Sequence, residues 1–167
     1  MRQRTAMRFE TERLLVRSFT EADAEALFAV LSDPEVMRYI EAPFSPEQTR
    51  SFLREAGLCE PPLVYAVLWK GERAPAAPLL IGHLIWHPWD ERTMELGWIL
   101  RRDFWGRGIA AELTAAMLSR TDRDVLLECS PAQAATRRLA ERFGFRLISE
   151  DSSLVQYKND AGKDERS

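Results

Sequence analysis

Thr93-Met94-Glu95-Leu96-Gly97-Trp98-Ile99-Leu100, then Arg101-Arg102-Asp103-Phe104, then Trp105-Gly106-Arg107-Gly108-Ile109-Ala110: the reading of this chain turns on these eighteen consecutive residues. The first eight favour a strand. Residues 109–119, rich in Ala, Glu, Leu and Met, favour a helix. A loop with two glycines therefore joins a strand to a helix start. Backbone N–H groups lack partners at a helix start, glycines let a ligand approach the main chain, and the helix dipole favours an anion. Arg101, Arg102 and Arg107 add positive charge beside the loop. This layout predicts a phosphorylated ligand; the plainer alternative is an ordinary tight turn.

Working outward, residues 63–69 and 79–87 read as two further strands. A Pro-rich connector, 71–78, and a turn at 88–92 join them into an antiparallel meander ending at Leu100. Upstream, residues 13–19 form a first strand, and Thr20-Glu21-Ala22-Asp23 resembles a capping box that opens a helix. Pro34 ends that helix, 35–40 make a short helical turn, and Ser45-Pro46-Glu47-Gln48 opens another helix that stops at Gly57. Downstream come a strand at 124–129, a helix at 132–142 capped by Gly144, and strands at 145–149 and 154–157. The element order is that of an α+β fold with a mixed sheet. Gly106 to Ala111 also fits the dinucleotide pattern G-x-G-x-x-A. That pattern opens a repeated βαβ array, whereas here a meander precedes the loop.

A length of 167 residues predicts one domain, 1–167, with an ordered core at about 9–158 and tails at 1–8 and 159–167. Its apolar runs are too short to span a bilayer, and the N-terminus lacks a secretory pattern. A net charge of −3 without a basic stripe argues against nucleic acid as a partner. Two isolated cysteines, Cys59 and Cys129, argue against a disulfide framework and for a cytoplasmic setting. Lys occurs only at Lys70, Lys158 and Lys163, so Arg supplies 20 of the 23 basic residues. Codon bias accounts for most of that excess; the three loop arginines have a plausible role with phosphate. His83 and His87 sit four apart on a strand, roughly 13 Å from each other, so no metal site is expected.

Four stretches stand out together: Thr11-Glu12-Arg13-Leu14-Leu15-Val16-Arg17 with Asp23, Ser32-Asp33-Pro34-Glu35-Val36-Met37, Glu95-Leu96-Gly97-Trp98 with Phe104 to Ala110, and Phe143-Gly144-Phe145. With these the chain resembles the GNAT superfamily of acyl-CoA-dependent N-acetyltransferases, and its RimJ/RimL branch in particular. The resemblance implies a mixed, mostly antiparallel central sheet flanked by about four helices. It implies acetyl-CoA as co-substrate, no metal, and transfer of acetyl to a primary amine of a peptide N-terminus or small molecule, by a monomer or homodimer. The alternative is a non-catalytic acyl-CoA-binding or sensing domain.

The resemblance also assigns roles. The main chain of Trp105, Gly106, Arg107, Gly108, Ile109 and Ala110 would cradle the pyrophosphate, with Arg101 beside it. The pantetheine arm would lie along the strand ending at Ile99 and Leu100, where it splays from the strand at 124–129. An N–H near Ile99 or Leu100 would face the thioester carbonyl and stabilise the oxyanion. Glu95 is the candidate base, acting through water; its alternative is a structural hydrogen bond. Gln133 stands where relatives carry an Asn that binds pantetheine, and Thr136 where they carry a Ser. Thr136 or water is left as the general acid, because Ala140 occupies the position of the usual Tyr.

Overall fold

A computed structural model describes residues 7–71 and 77–162. Among these residues the strands are β1 (Phe9–Glu10), β2 (Leu14–Arg17), β3 (Val64–Trp69), β4 (Leu79–Pro88), β5 (Thr93–Leu100), β6 (Asp124–Cys129), β7 (Arg146–Glu150) and β8 (Val155–Asn159). The α-helices are α1 (Ala24–Leu31), α2 (Pro34–Met37), α3 (Pro46–Phe52), α4 (Ile109–Leu118) and α5 (Ala134–Arg142). Strand order in the sheet is β1-β2-β3-β4-β5-β6-β8-β7. The β5–β6 pair is parallel, and the pairs β1–β2, β2–β3, β3–β4, β6–β8 and β7–β8 are antiparallel. The fold is thus the expected α+β class with a mixed, mostly antiparallel sheet. Among the described residues there are five α-helices where about four were expected, because Asp33 caps a full turn at Pro34–Met37 by accepting from the Glu35 N–H.

The chain divides into two compact units. The first holds the described residues of Met1–Ile85 and Trp98–Arg107. Its core joins Leu27, Val30 and Leu31 of α1 and Leu53 after α3 to Leu15, Ala66 and Leu80 on the strands. Both capping boxes read from sequence are present. Thr20 N donates to Asp23 Oδ2 at 2.8 Å, and the Ser45–Gln48 pair exchanges bonds of 2.8 and 3.1 Å. Asp23 also holds β2 to this cap, since Arg17 donates to both its oxygens, at 2.8 and 3.0 Å. The two-residue β1, not foreseen from sequence, pairs Phe9 with Val16 across a turn in which Leu14 N donates to Thr11 Oγ1.

His83 lies in this first unit, 1% exposed, with its ring 5.3 Å from that of Phe52 and no partner for Nδ1. Burial lowers its pKa from 6.5 to about 4. The unfolded chain therefore binds the extra proton between those values, and the folded chain does not. The stability is full above the unfolded pKa and falls as pH drops through the window, by about 3 kcal/mol in all. We expect the thermal midpoint of the wild type to fall between pH 7 and pH 4.5 more steeply than that of His83→Phe. Equal slopes would exclude His83 as the source.

The second unit holds the described residues of Trp86–Gly97 and Gly108–Ser167. Leu113 and Met117 of α4, Ala140 of α5, Leu127 of β6 and Tyr157 of β8 are buried in it. Its last strand runs past the expected end of the core. Asn159 belongs to β8, Asp160 pairs with Arg146 at 2.9 Å, and Ala161 N donates to Asp124 Oδ1 at 2.7 Å. The rest of the two expected tails, 1–6 and 163–167, and residues 72–76 of the Pro-rich connector lie outside the described residues.

Candidate active site

The loop after β5 is shaped by its glycines. Gly106 has φ +73° and Gly108 φ +77°, left-handed values that glycine adopts without a Cβ penalty. Nothing lies within 4 Å of where a Gly106 Cβ would be, so this glycine answers to backbone conformation rather than crowding. Gly108 is the N-cap of α4 and offers no side-chain cap; the first helical bond runs from Glu112 N to Gly108 O at 3.0 Å. Helix geometry thus leaves the N–H groups of Ile109, Ala110 and Ala111 without intrahelical partners. The Ile109 side chain is 2% exposed, so this residue can serve a ligand only through its main chain.

The three loop arginines have separate fates. Arg101 is held by Asp103 through contacts of 3.1 and 2.9 Å. Arg102 pairs with Asp33 at 3.3 Å. Arg107 lies over the rings of Phe104 (4.8 Å) and Trp69 (5.9 Å) and, among the described residues, pairs with no carboxylate. A residue the sequence reading passed over acts on the same loop. Arg13 Nη1 donates to the Arg107 carbonyl oxygen at 2.8 Å, and its guanidinium lies over Trp69. Only a contact 94 residues apart in sequence reveals this role. On the expectation that this loop holds acetyl-CoA, Arg13→Ala should raise its KM several-fold with a smaller change in kcat, because the loop loses an anchor and not a reacting group. An unchanged KM in steady-state kinetics would show that the anchor is dispensable.

The strand before the loop has one defined edge on each side. Trp89 N donates to Thr93 O at 2.8 Å and Arg101 N to Ile81 O at 2.7 Å, so β4 and β5 form an antiparallel hairpin. The Ile99 carbonyl also faces β4, against Gly82. Strand alternation then turns the N–H and C=O of Leu100 to the other edge, where Trp105 Nε1 donates to the carbonyl at 2.9 Å. Of the two main-chain N–H groups expected to face a thioester, Leu100 is the one on the free edge. The β5–β6 ladder is short. It pairs Thr93 with Asp124, Met94 with Val125 and Glu95 with Leu126, and goes no further.

Glu95 emerges from the last rung of that ladder. Its side chain is 19% exposed, and Oε2 lies 2.8 Å from Nε2 of His87, directly across the hairpin. Burial raises the Glu95 pKa above the ordinary glutamate value, and the charge of Glu128 raises it further; His87 opposes both. Glu128, on β6, accepts from Gln156 Nε2 at 2.6 Å. The second unit therefore brings His87, Glu95 and Glu128 together. Sequence reading found only Glu95 among them as chemistry. The hairpin register was the signal that would have found His87.

The residues of α5 offer less. Gln133 Oε1 accepts from Ser130 N at 2.7 Å, so its amide nitrogen is what it can present to a ligand. Thr136 sits in the first turn of α5, half-buried. Ala140 is fully buried, so the position of the usual Tyr carries no proton donor. Cys129 is 6% exposed, and burial raises its thiol pKa.

Between β5 and α4 the chain thus carries two left-handed glycines and a helix start without a side-chain cap. The sequence profile of the acetyltransferase (GNAT) domain family matches residues 13–146, which reach into both units, and the chain belongs to this family of N-acetyltransferases. The uncharacterized N-acetyltransferase YnaD of Bacillus subtilis is 27% identical over 154 residues, covering 84% of this chain and 83% of that one. A GNAT-family acetyltransferase structure from Bacillus anthracis is 27% identical with a TM-score of 0.76, covering 92% and 98%. RimL, a ribosomal-protein alpha-N-acetyltransferase solved in complex with coenzyme A, shares the fold at 17% identity with a TM-score of 0.73, covering 93% and 98%.

Proposed function

We propose that this N-acetyltransferase moves the acetyl group of acetyl-CoA directly onto a primary amine, either a protein or peptide N-terminus, as in the RimJ/RimL branch, or a small amine. The observation that carries the reading is the loop. Two left-handed glycines and the unpartnered N–H groups of Ile109 and Ala110 fit the pyrophosphate, with Arg107 as the uncompensated cation nearby. Trp105 contributes through its bond to Leu100 O, which fixes the loop against the strand. Bound there, acetyl-CoA would supply an activated thioester.

The chain's own groups then do three things. The Leu100 N–H is a donor for the developing oxyanion. Glu95 takes a proton from the acceptor's ammonium, directly or through water, so that the neutral amine attacks, and its raised pKa makes it a better base than a solvated glutamate. Gln133 orients the pantetheine through its amide nitrogen, and the thiolate is protonated by Thr136 or water. The depressed acidity of Cys129 argues for direct attack over an acyl-cysteine, because little thiolate forms. The two free cysteines fit a reducing, cytoplasmic compartment. Among the described residues no helix is long and apolar enough to cross a membrane. Thermal shift tests the cofactor: acetyl-CoA raises the midpoint and NADH does not. The reverse would overturn the reading, and stabilisation by acetyl-CoA with no turnover on any amine would favour the acyl-CoA sensor.

A further inference from the structure

We propose that His87 is the proton-relay partner of Glu95, carrying the acceptor's proton from the carboxylate to solvent. The proposal rests on the reading of Glu95 as the base. Two short contacts fix where the protons lie. His87 Nδ1 lies 3.1 Å from the carbonyl oxygen of Pro88. A carbonyl can only accept, so Nδ1 carries a hydrogen. The other ring nitrogen, Nε2, lies 2.8 Å from the Glu95 carboxylate, another acceptor when ionised. That contact needs a hydrogen as well. The pair therefore holds one proton between Nε2 and Oε2, on the imidazole or on the carboxyl.

The groups around the pair favour transfer through it. Glu95 on β5 faces His87 on β4 and feels the charge of Glu128 on β6, which Gln156 of β8 holds in place. The side chain of His87 is 24% exposed, so the ring has an outlet to water. The balance is simple. An acceptor R–NH3⁺ gives a proton to Glu95 and becomes R–NH2. The imidazolium releases its Nε2 proton to water and keeps Nδ1–H on the Pro88 carbonyl, and the proton taken by Glu95 then fills the place between Oε2 and Nε2, which restores the pair. Only N–H and O–H bonds change.

A hydrogen-bonding but non-titrating side chain separates relay from scaffold. In His87→Gln the amide can still donate to Glu95, yet it cannot pass a proton. We expect kcat at pH 7 to fall about tenfold or more, with the KM for acetyl-CoA unchanged. In His87→Ala, added imidazole should restore part of the rate in a concentration-dependent way. Full kcat in His87→Gln, or a loss in His87→Ala that imidazole does not relieve, would overturn the relay. A companion Glu95→Gln assay separates the two ideas. An inactive Glu95→Gln beside a fully active His87→Gln sinks the relay alone, whereas a fully active Glu95→Gln sinks the base on which it rests.

Discussion

Glu95→Gln is expected to lower kcat at neutral pH by roughly a hundredfold to ten-thousandfold, the usual worth of a positioned general base. The substitution keeps the size of the side chain and its ability to bond His87, so fold and acetyl-CoA affinity should be retained. The sign of the pH dependence follows from the cause of the shift. Burial, and then Glu128, raise the Glu95 pKa, while His87 pulls it back. With Glu95 as the proposed base the carboxylate is the active form, and wild-type activity is expected to fall as pH drops through a value above the ordinary glutamate range. In Glu95→Gln that limb disappears from the kcat profile, and the rate follows only the protonation of the amine. A retained acid limb in the variant would assign it to another group.

Gly82→Ala is expected to be the most destabilising single change, on the order of 3 kcal/mol, read as a lower midpoint in urea or heat. A Cβ at Gly82 would collide with the carbonyl oxygen of Ile99 and crowd the Leu100 Cα on β5. Both obstacles are backbone, so no rotamer change relieves them. The β3–β4 register already slips by one residue here, pairing Val67 with Gly82 and Leu68 with Leu80. This bulge and the close approach set the path of β5 just before the loop. Activity should therefore fall with stability, since Leu100 follows Ile99 directly. A variant as stable as wild type would show that the hairpin can part at no cost.

How much of this was legible in sequence depended on range. The spans Thr93–Leu100 and Asp124–Cys129 appear as read, because strand formers are bounded by turn residues. The caps at Thr20 and Ser45 were legible because a cap is a local chemical pattern. Strand β1 was missed because two residues carry no periodicity, and only pairing with Leu15 and Val16 defines them. The loop glycines were read as letting a ligand approach the main chain; their left-handed φ values are a separate, conformational reason for glycine that the sequence reading did not give. The arginines were not separable by sequence. Arg101, Arg102 and Arg107 looked alike, yet Asp103 and Asp33 occupy the first two. His87 was read only against His83, along one strand; its partner lies across the hairpin, and register is a property of two strands.

Acetyl transfer from acetyl-CoA to a primary amine, with Glu95 as the proposed base, can be followed directly. The direct measurement is thiol release from acetyl-CoA by wild type and Glu95→Gln, across a panel of N-terminal peptides, lysine side chains and small amines at neutral pH. Wild type should turn over with at least one primary amine and give an acetylated acceptor by mass spectrometry, and Glu95→Gln should be slower by about two orders of magnitude or more. Turnover that is equal in the two proteins, or absent for every amine while acetyl-CoA binds, would contradict this reading.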